Sequence, residues 1–322
     1  MRIGDVNNIA VVGSGIMGHG IAQTFATAGY QVTLTDADAQ RLGEAISRIT
    51  QNLHSFAEHG LISDIQISRI VERVSAMSSL EDAVADSDVV VEAIVEEFEA
   101  KRTLFNRLDE ICPEKTILAS NSSSLLISEF ASETNRQDRV ILTHWFNPPH
   151  IVPTVEIIPG RYTSDETFEL VYELHRKAGK LAIRINKEIP GYLVNRIQMA
   201  MLREVWSLWE MGIASPENID LAVKGSFGFR LASIGPLMTN DLGGNDTNLR
   251  VASYLLPLIN SSAAPPKAFR DLVEAGGYGS KSGWGFFNLP AEEWQGVIEK
   301  RDREFLQRLK CLYLTNQEAS DS

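Results

Sequence analysis

The feature that most constrains this chain is a glycine-rich turn close to its N-terminus. Residues 9–12 form an apolar, β-branched run, and Gly13, Gly15 and Gly18 follow it in a G-x-G-x-x-G pattern before a helical stretch begins. The first glycine permits a tight turn, the second lets a pyrophosphate approach the backbone, and the third lets the helix pack closely on the strand. The pattern therefore predicts a strand-turn-helix unit that holds a pyrophosphate at the helix N-terminus.

A carboxylate at the end of the next predicted strand narrows the choice of ligand. Asp36 follows Gly18 by eighteen residues, and an acidic side chain there binds the ribose 2′-hydroxyl of NAD and repels the 2′-phosphate of NADP. We therefore predict NAD as the cofactor. An alternative is a Rossmann-like domain that binds flavin or nothing, with Asp36 as a helix cap. The predicted cofactor-binding residues here are Gly13, Ser14, Gly15, Ile16, Met17, Gly18 and Asp36.

Short β-branched runs alternate with amphipathic stretches over the first 185 or so residues. The runs cover residues 9–12, 31–35, 89–91, 116–119, 140–143 and 155–158. Strands separated by helices predict parallel βαβ units, so the expected fold class is an α/β Rossmann-type doubly wound parallel sheet. The polar segment at about 38–80 has apolar residues at helical spacing, which predicts an inserted pair of helices.

The pattern changes after Pro190, where helical periodicity replaces the alternation. We predict an NAD-binding Rossmann domain over residues 1–187 and an all-helical C-terminal domain over residues 188–322, which supplies a substrate pocket and a dimer contact. One long amphipathic helix is expected over residues 192–211. Ser215 and a proline after it predict the start of another helix.

Two tryptophans on the predicted long helix raise the question of oligomeric state. Trp206 and Trp209 lie three positions apart, so both fall on one helix face. That face could pack against a second subunit or within the same domain, and the sequence leaves both interpretations open.

Composition excludes several classes of protein. The chain has 322 residues, 44% of them hydrophobic, and a net charge of -12, which favours neither nucleic acid nor a membrane surface. Its two cysteines, Cys112 and Cys311, are far apart, which predicts neither a disulfide framework nor a metal site. Signal and membrane-spanning segments are not evident. We expect a cytoplasmic protein whose partner is a small-molecule substrate.

Two polar segments follow predicted strands and carry candidate catalytic groups. One is the serine cluster at 120–124, and the other contains His144 and Glu156. Ligands of open parallel sheets bind beyond the carboxyl ends of the strands. A neutral histidine there can accept the hydroxyl proton of an alcohol, and a carboxylate on its other ring nitrogen fixes the tautomer. Taken singly, a loop histidine and a charged strand residue would be the simpler interpretations; their conjunction predicts an acid-base pair.

Six segments together resemble the L-3-hydroxyacyl-CoA dehydrogenase family in order and spacing. They are GSGIMGHGIA, EAIVEEFEAK, SNSSSL, HWFNPPHIVPTVEI, PGYLVNR and GYGSKSGWGFF, and they span almost the whole chain. The resemblance implies that His144 is the catalytic base with Glu156 as its partner, and that Ser123 and Asn195 bind the substrate oxygen and the surroundings of the histidine. It also implies a homodimer and cofactor contacts at Glu96, Lys101, Asn147 and Lys281. Capping or surface roles are the alternatives for these residues.

Two segments depart from the acyl-CoA enzymes. Those enzymes usually have lysines in the turn between the inserted helices, where this chain has Glu58, His59 and Leu61, and a carboxylate there would repel the phosphates of coenzyme A. Other basic residues such as Arg41 or Arg48 could compensate.

The second departure is the stretch that contains Arg230. It resembles family branches that act on small free acids or polar metabolites: gulonate dehydrogenase with lambda-crystallin, carnitine dehydrogenase and a pyridine-carboxylate dehydrogenase. A guanidinium can bind a free carboxylate, so we predict Arg230 as a substrate-binding residue. Pairing with a surface acid or across a subunit contact is the alternative.

Three hypotheses follow from the sequence. The first is an NAD-dependent dehydrogenase that oxidises the hydroxyl of a small 3-hydroxy acid or related polar metabolite. The second keeps the chemistry but takes a 3-hydroxyacyl-CoA thioester. The third is an NAD-binding structural protein of the crystallin kind, against which the His144 and Glu156 pair argues.

Overall fold

The computed structural model describes residues 1–320, with the side chains of residues 1–290 and 292–312. In the N-terminal part the elements are β1 (Asn8–Val12), α1 (Gly18–Thr27), β2 (Gln31–Thr35), α2 (Ala39–Glu58), α3 (Asp64–Val71), β3 (Val74–Ala76), α4 (Leu80–Val84), β4 (Val89–Glu92), α5 (Phe98–Ile111), β5 (Ile117–Ser120), α6 (Ile127–Phe130), β6 (Val140–Trp145), β7 (Thr154–Pro159), α7 (Asp165–Lys177) and β8 (Leu181–Arg184). The C-terminal part contains α8 (Val194–Glu210), α9 (Pro216–Gly225), α10 (Phe227–Leu231), α11 (Pro236–Gly243), α12 (Asn245–Leu255), α13 (Lys267–Glu274) and α14 (Ala291–Ser320).

The strands form one eight-stranded sheet in the order β3-β2-β1-β4-β5-β6-β7-β8. Every neighbouring pair is parallel except β6 with β7, which run antiparallel. The chain reverses its direction of travel across the sheet between β1 and β4, which is where open α/β sheets bind ligands. The predicted Rossmann-type sheet with a helical C-terminal region is confirmed.

The sheet is buried on both faces. Successive strand residues point to opposite sides, so neighbouring residues of one strand belong to different cores. Ile9 and Val11 of β1 belong to one apolar core with Phe25 of α1. Ala10 and Val12 belong to a second core on the other face. The unbroken apolar runs in the sequence are therefore explained by central strands covered by helices on both sides.

The inserted segment at about 38–80 contains more than the two predicted helices. Asp38 caps α2 by accepting from the amides of Gln40 and Arg41, and α2 buries one stripe of apolar side chains. After α3 the chain adds the short strand β3 at the sheet edge. The sequence pattern missed β3 because three residues with one buried side chain carry too short a signal for a strand.

The chain divides into two compact units by its internal contacts. The first contains Met1–Leu193 together with the chain from Arg301, and the second is Val194–Lys300. The boundary between the units falls inside α14, whose last two thirds, from Arg301, group with the first unit. Leu306 and Leu309 of α14 are buried in a cluster with Phe56 of α2.

The described part of the second unit is built from helices, with two isolated bridges that join Trp284 to Gly279 and Asn288. Ser215 caps α9 as expected, and Pro216 is its first residue. Trp206 stacks on Phe269 with ring centroids 4.4 Å apart, and Trp209 contacts the Phe286 ring at 4.9 Å. Both tryptophans thus pack within this unit. Through residue 320, no helix is long and apolar enough to cross a bilayer.

Candidate active site

The glycine turn follows β1 and leads into α1. Gly13 adopts a positive φ of 105°, and a Cβ there would lie 2.4 Å from the carbonyl oxygen of Ala93. A Cβ on Gly18 would lie 1.6 Å from the carbonyl oxygen of Gly13, so the helix can approach the turn only without one. Gly15 has open space where its Cβ would be. The turn therefore has the shape that a pyrophosphate requires above Gly15.

Asp36 is bonded directly to this turn. Its Oδ2 accepts from the amide and hydroxyl of Ser14 at 2.6 and 2.8 Å, and its Oδ1 accepts from the amide of Asp38. Partial burial alone would raise the pKa of Asp36, but the hydrogen bonds from Asp38 and Ser14 outweigh it and lower the pKa. An ionised carboxylate is therefore held at the end of β2, beside the turn. The glycine turn and this carboxylate fit the diphosphate and ribose of NAD.

His144 and Glu156 face each other across the antiparallel β6–β7 pair. They are register partners, so their side chains lie on the same face of the sheet. His144 Nδ1 lies 2.7 Å from Glu156 Oε2, and both residues are buried. Parallel strands alone would not have given this arrangement. The twelve-residue spacing in the sequence is thus the spacing of two paired strands joined by the loop at 146–153.

Glu156 is held on its second oxygen as well. Its Oε1 accepts from the amide of Leu193 at 3.0 Å. Tyr192, which precedes Leu193, is buried with a positive φ of 51°, and its ring centroid lies 5.2 Å from that of His144. The Tyr192 hydroxyl donates to the carbonyl of Leu125. The sequence did not single out Tyr192, although PGYLVNR was noted as a segment.

Glu96 organises the serine loop after β5. Its Oε1 accepts from the hydroxyl of Ser122 at 2.7 Å, from the amides of Ser123 and Ser124 at 2.9 Å each, and from the hydroxyl of Ser124 at 3.0 Å. Burial would raise the pKa of Glu96, but the Ser122 hydroxyl, the Lys101 ammonium and the two amides lower it to about 2. The structure places this predicted cofactor contact where it fixes the loop that exposes Ser123.

Lys101 is buried between two carboxylates. Its Nζ lies 2.6 Å from Glu92 Oε1 and 3.2 Å from Glu96 Oε2. Glu92, the last residue of β4, also accepts from the Ser120 hydroxyl and the amide of Ile94. Sequence reasoning missed Glu92. The available signal was a carboxylate that ends an otherwise apolar run of three valines.

Asn121 is a further residue that the sequence did not single out. Its side-chain oxygen accepts from the amide of Trp145 at 3.0 Å, so it ties the serine loop to the end of β6. The carboxyl ends of β1, β4, β5 and β6 all lie at one edge because these strands are parallel neighbours. The glycine turn, the serine loop and His144 therefore share this edge.

The structure places the other predicted residues as follows. Asn147 is exposed in the loop after β6 and precedes a cis proline. Asn195 is half-buried in the first turn of α8, in the second unit. Arg230 on α10 and Lys281 in the turn after Gly279 are exposed in the same unit.

The fold and this edge of the sheet define a dinucleotide-binding oxidoreductase. The family model described as 3-hydroxyacyl-CoA dehydrogenase, NAD binding domain, matches residues 8–189, and the C-terminal domain of the same family matches residues 191–289. Among curated relatives, a probable 3-hydroxybutyryl-CoA dehydrogenase of Bacillus subtilis is 39% identical over 88% of this chain and 98% of its own length.

Two solved structures extend the comparison. A 5-formyl-3-hydroxy-2-methylpyridine 4-carboxylic acid 5-dehydrogenase, described as an NAD+ dependent dismutase, superposes with a TM-score of 0.87 at 30% identity, over 94% of this chain and 96% of its own. An (S)-3-hydroxybutyryl-CoA dehydrogenase from Ralstonia eutropha gives 0.74 at 32% identity, over 88% and 99%. This chain belongs to the 3-hydroxyacyl-CoA dehydrogenase family. It is an NAD-dependent dehydrogenase that acts on a CH–OH group.

Proposed function

We propose that this enzyme oxidises the hydroxyl of a small 3-hydroxy acid or related polar metabolite, with His144 and Glu156 as its acid-base pair. The observation that carries the proposal is the buried 2.7 Å contact between His144 Nδ1 and Glu156 Oε2. It lies at the edge of the sheet where the glycine turn and the serine loop also lie. A base held there can act on a substrate beside the cofactor.

The residues of this chain divide the chemistry between them. NAD, when bound, supplies the hydride acceptor. Glu156 accepts a hydrogen bond from the Nδ1–H of His144, which leaves Nε2 as the ring nitrogen that takes the substrate hydroxyl proton. The imidazolium that forms is then stabilised by the adjacent carboxylate. Ser123 and Asn195 are proposed to bind the substrate oxygen, and Glu96, Lys101, Asn147 and Lys281 to contact or support the cofactor.

The turn between α2 and α3 supports a substrate other than a coenzyme A thioester. Glu58 is exposed at the end of α2. The two arginines that could have compensated are engaged elsewhere, since Arg48 donates to the carbonyls of Ser14 and Arg41, and Arg41 pairs with Asp38. An exposed carboxylate at this turn disfavours the phosphates of coenzyme A.

Arg230 supports the same choice. It is exposed on α10, and a guanidinium binds a carboxylate through two parallel hydrogen bonds. The closer structural match to a pyridine-carboxylate dehydrogenase than to a 3-hydroxybutyryl-CoA dehydrogenase agrees with a free acid. We propose Arg230 as the residue that binds the substrate carboxylate.

The second candidate function is oxidation of a 3-hydroxyacyl-CoA thioester. It is favoured by the Bacillus subtilis relative and by Lys310, whose Nζ lies 3.2 Å from the position of a Cβ on Gly60. One ammonium thus lies near the turn between α2 and α3. An NAD-binding structural role is a third candidate, and turnover by the purified protein would eliminate it.

A substrate comparison decides between these candidates. NADH formation is measured with 3-hydroxybutyryl-CoA, 3-hydroxybutyrate, carnitine and gulonate, for the natural sequence, Arg230→Gln and Arg250→Gln. We expect turnover of a free acid and a KM for it that rises roughly 10- to 100-fold in Arg230→Gln, the effect of losing a charged hydrogen bond. Arg250→Gln removes an exposed arginine of the same unit and is expected to change neither. Strong turnover of the thioester with none of the free acids would overturn the proposal.

We also propose a homodimer in the cytoplasm. The second unit exposes large apolar side chains, among them Leu237, Leu242 and Leu249, which are 79%, 75% and 68% exposed. Apolar surface of this extent is typical of a subunit contact.

A further inference from the structure

Lys180 is a buried lysine that the acid-base chemistry does not use. It lies in the turn between α7 and β8 and is 6% exposed. Its Nζ donates to the carbonyl oxygens of Pro149 at 2.6 Å and Val152 at 3.0 Å. The ammonium also lies 5.2 Å from the centroid of the Trp145 ring.

This placement is costly for an ammonium group. Among the residues whose side chains are described, no carboxylate forms an ion pair with Lys180, and burial lowers its pKa to about 7. The titratable groups on which the charge of Lys180 acts are His150 of the loop and His175 of α7, and His150 in turn is affected by His19 of α1 and Arg301 of α14. None of these four groups is acidic. A buried charge without a counter-ion does not favour folding. The burial of Lys180 is therefore explained by its hydrogen bonds to the two carbonyls and not by a gain in stability.

Both carbonyls belong to the loop at 146–153. This loop joins the strand of His144 to the strand of Glu156, and it carries Asn147. Its other side is covered by apolar contacts, since Ile151 lies in the cluster with Leu306 and Leu309 of α14. The loop is thus fixed between α14 and the Lys180 side chain.

We propose that Lys180 is a positioning residue, which holds the loop at 146–153 so that His144, Glu156 and Asn147 keep their relative placement. The inference rests on the proposed function, because it concerns the residues assigned there. A loop bonded at Pro149 and Val152 restrains the ends of both strands, and misplacement of a catalytic group by about 1 Å can reduce a rate by roughly 100-fold.

The anchor, by which we mean the hydrogen bonds of Lys180 to the carbonyls of Pro149 and Val152, can form in either protonation state of Lys180. The free energy of unfolding, in contrast, changes as Lys180 titrates. An ammonium has three N–H donors and an amine two, so either form can bond to both carbonyls. The folded-state pKa of about 7 is below the ordinary lysine pKa of 10.5, so the unfolded chain binds more protons between these two pH values. The contribution of Lys180 to stability is therefore least favourable below pH 7 and improves as the pH rises toward 10.5. Lys180→Met is expected to lose this rise.

The test compares Lys180→Met, Lys180→Arg and Lys177→Met. Lys177 is exposed at the end of α7, so its variant removes the same charge without touching the loop. We expect Lys180→Met to lower kcat roughly 10- to 100-fold, to raise the KM for NAD and to speed hydrogen exchange in residues 146–153 relative to the rest of the first unit. Lys180→Arg, which keeps N–H donors, should recover part of kcat. Lys177→Met should match the natural sequence.

Several results would overturn the inference. A folded Lys180→Met variant with unchanged kcat, KM and loop exchange would do so, as would equal losses of kcat in the methionine and arginine variants. If the methionine variant does not fold, Lys180→Gln, which keeps one donor group, is measured instead, and unchanged loop exchange in it would count against the anchor. Hydrogen exchange needs no substrate, so the anchor can be judged even if His144 proves not to be the base.

Discussion

At the scale of single residues, the candidate site depends on the hydrogen bonds that hold two carboxylates, those of Glu156 and Asp36. One oxygen of Glu156 is hydrogen-bonded to His144 Nδ1, and the other accepts from the Leu193 amide. Asp36 likewise accepts from the Ser14 amide on one oxygen and from the Asp38 amide on the other. In each case the carboxylate is fixed by backbone amides, so the group that it serves is oriented by the fold and not by a mobile side chain.

Glu156→Gln tests the role of the carboxylate beside His144. The amide keeps the size of the side chain but loses the charge that stabilises the imidazolium, so we expect kcat to fall by about 10²- to 10⁴-fold with little change in the KM for NAD. Steady-state kinetics measure this, with the exposed Glu114→Gln as the control. A kcat within threefold of the natural value, about the scatter of such comparisons, would reject the role.

Asp36→Asn tests the basis of cofactor choice. The amide can still accept from the Ser14 amide, but it no longer repels a 2′-phosphate. We expect the preference for NAD over NADP to narrow by roughly 10- to 100-fold, measured as the ratio of kcat/KM for the two cofactors. Asp64→Asn, at an exposed carboxylate of α3, should leave the ratio unchanged. An unaltered ratio in Asp36→Asn would show that the selectivity lies elsewhere.

At the scale of elements, strand pairing decides what the sequence could and could not predict. The apolar runs of the central strands predicted the Rossmann sheet, which is confirmed, and the glycine turn with Asp36 predicted NAD as the cofactor. The edge strand β8 was missed because its residues are exposed or half-buried and lack a clear alternation. The antiparallel pairing of β6 with β7 was missed too, because the residues of a strand do not show in which direction it runs beside its neighbour. The pairing of His144 with Glu156 was predicted from the chemistry of the two residues and from family resemblance, and not from the direction of the strands.

The serine loop shows the same limit. The cluster at 120–124 was a candidate from its position after a strand, but the contacts of Glu96 with three serines depend on how β4 and β5 lie beside each other. Long-range hydrogen bonds of this kind leave no periodic signal in a sequence.

Glu96→Gln tests whether Glu96 stabilises this loop. The pKa of Glu96 is lowered from its ordinary value of 4.5 to about 2, so the ionised form is favoured in the folded state. Its stabilising contribution is complete above pH 4.5 and is lost as the pH falls toward 2. The difference in unfolding free energy between the natural sequence and Glu96→Gln should therefore shrink over this window.

Denaturant unfolding at several pH values measures that difference. Glu114→Gln, at an exposed carboxylate outside the loop, provides the baseline for removing one charge. A difference for Glu96→Gln that stays constant from pH 7 to pH 3, roughly the accessible range before general acid unfolding, would contradict the assignment.

At the scale of the whole molecule, the second unit exposes large apolar side chains, which a contact with a second subunit would cover. Trp206 and Trp209 pack against Phe269 and Phe286 of the same unit, so the exposed leucines of α11 and α12 are the better candidates for a subunit contact. The first unit contains the glycine turn, Asp36 and the contact of His144 with Glu156. The second unit contains Asn195, Arg230 and Lys281, for which we propose roles in binding the substrate or the cofactor.

Sedimentation equilibrium tests the dimer. We expect a mass near twice the 35.6 kDa of one chain and a weakened dimer in Leu242→Glu, because a charge placed in an apolar contact costs binding energy. Glu217→Gln, at an exposed charge of α9, should leave the mass unchanged. A monomer at all concentrations would refute the dimer.

The role of His144 as the base is tested most directly by the turnover of His144→Ala on the best substrate found in the comparison of free acids and thioesters. NAD binding is measured in parallel by fluorescence, with His54→Ala, an exposed histidine of α2, as the control. We expect kcat to fall by about 10²- to 10⁴-fold while NAD still binds. Turnover equal to that of the natural sequence would show that His144 is not the base.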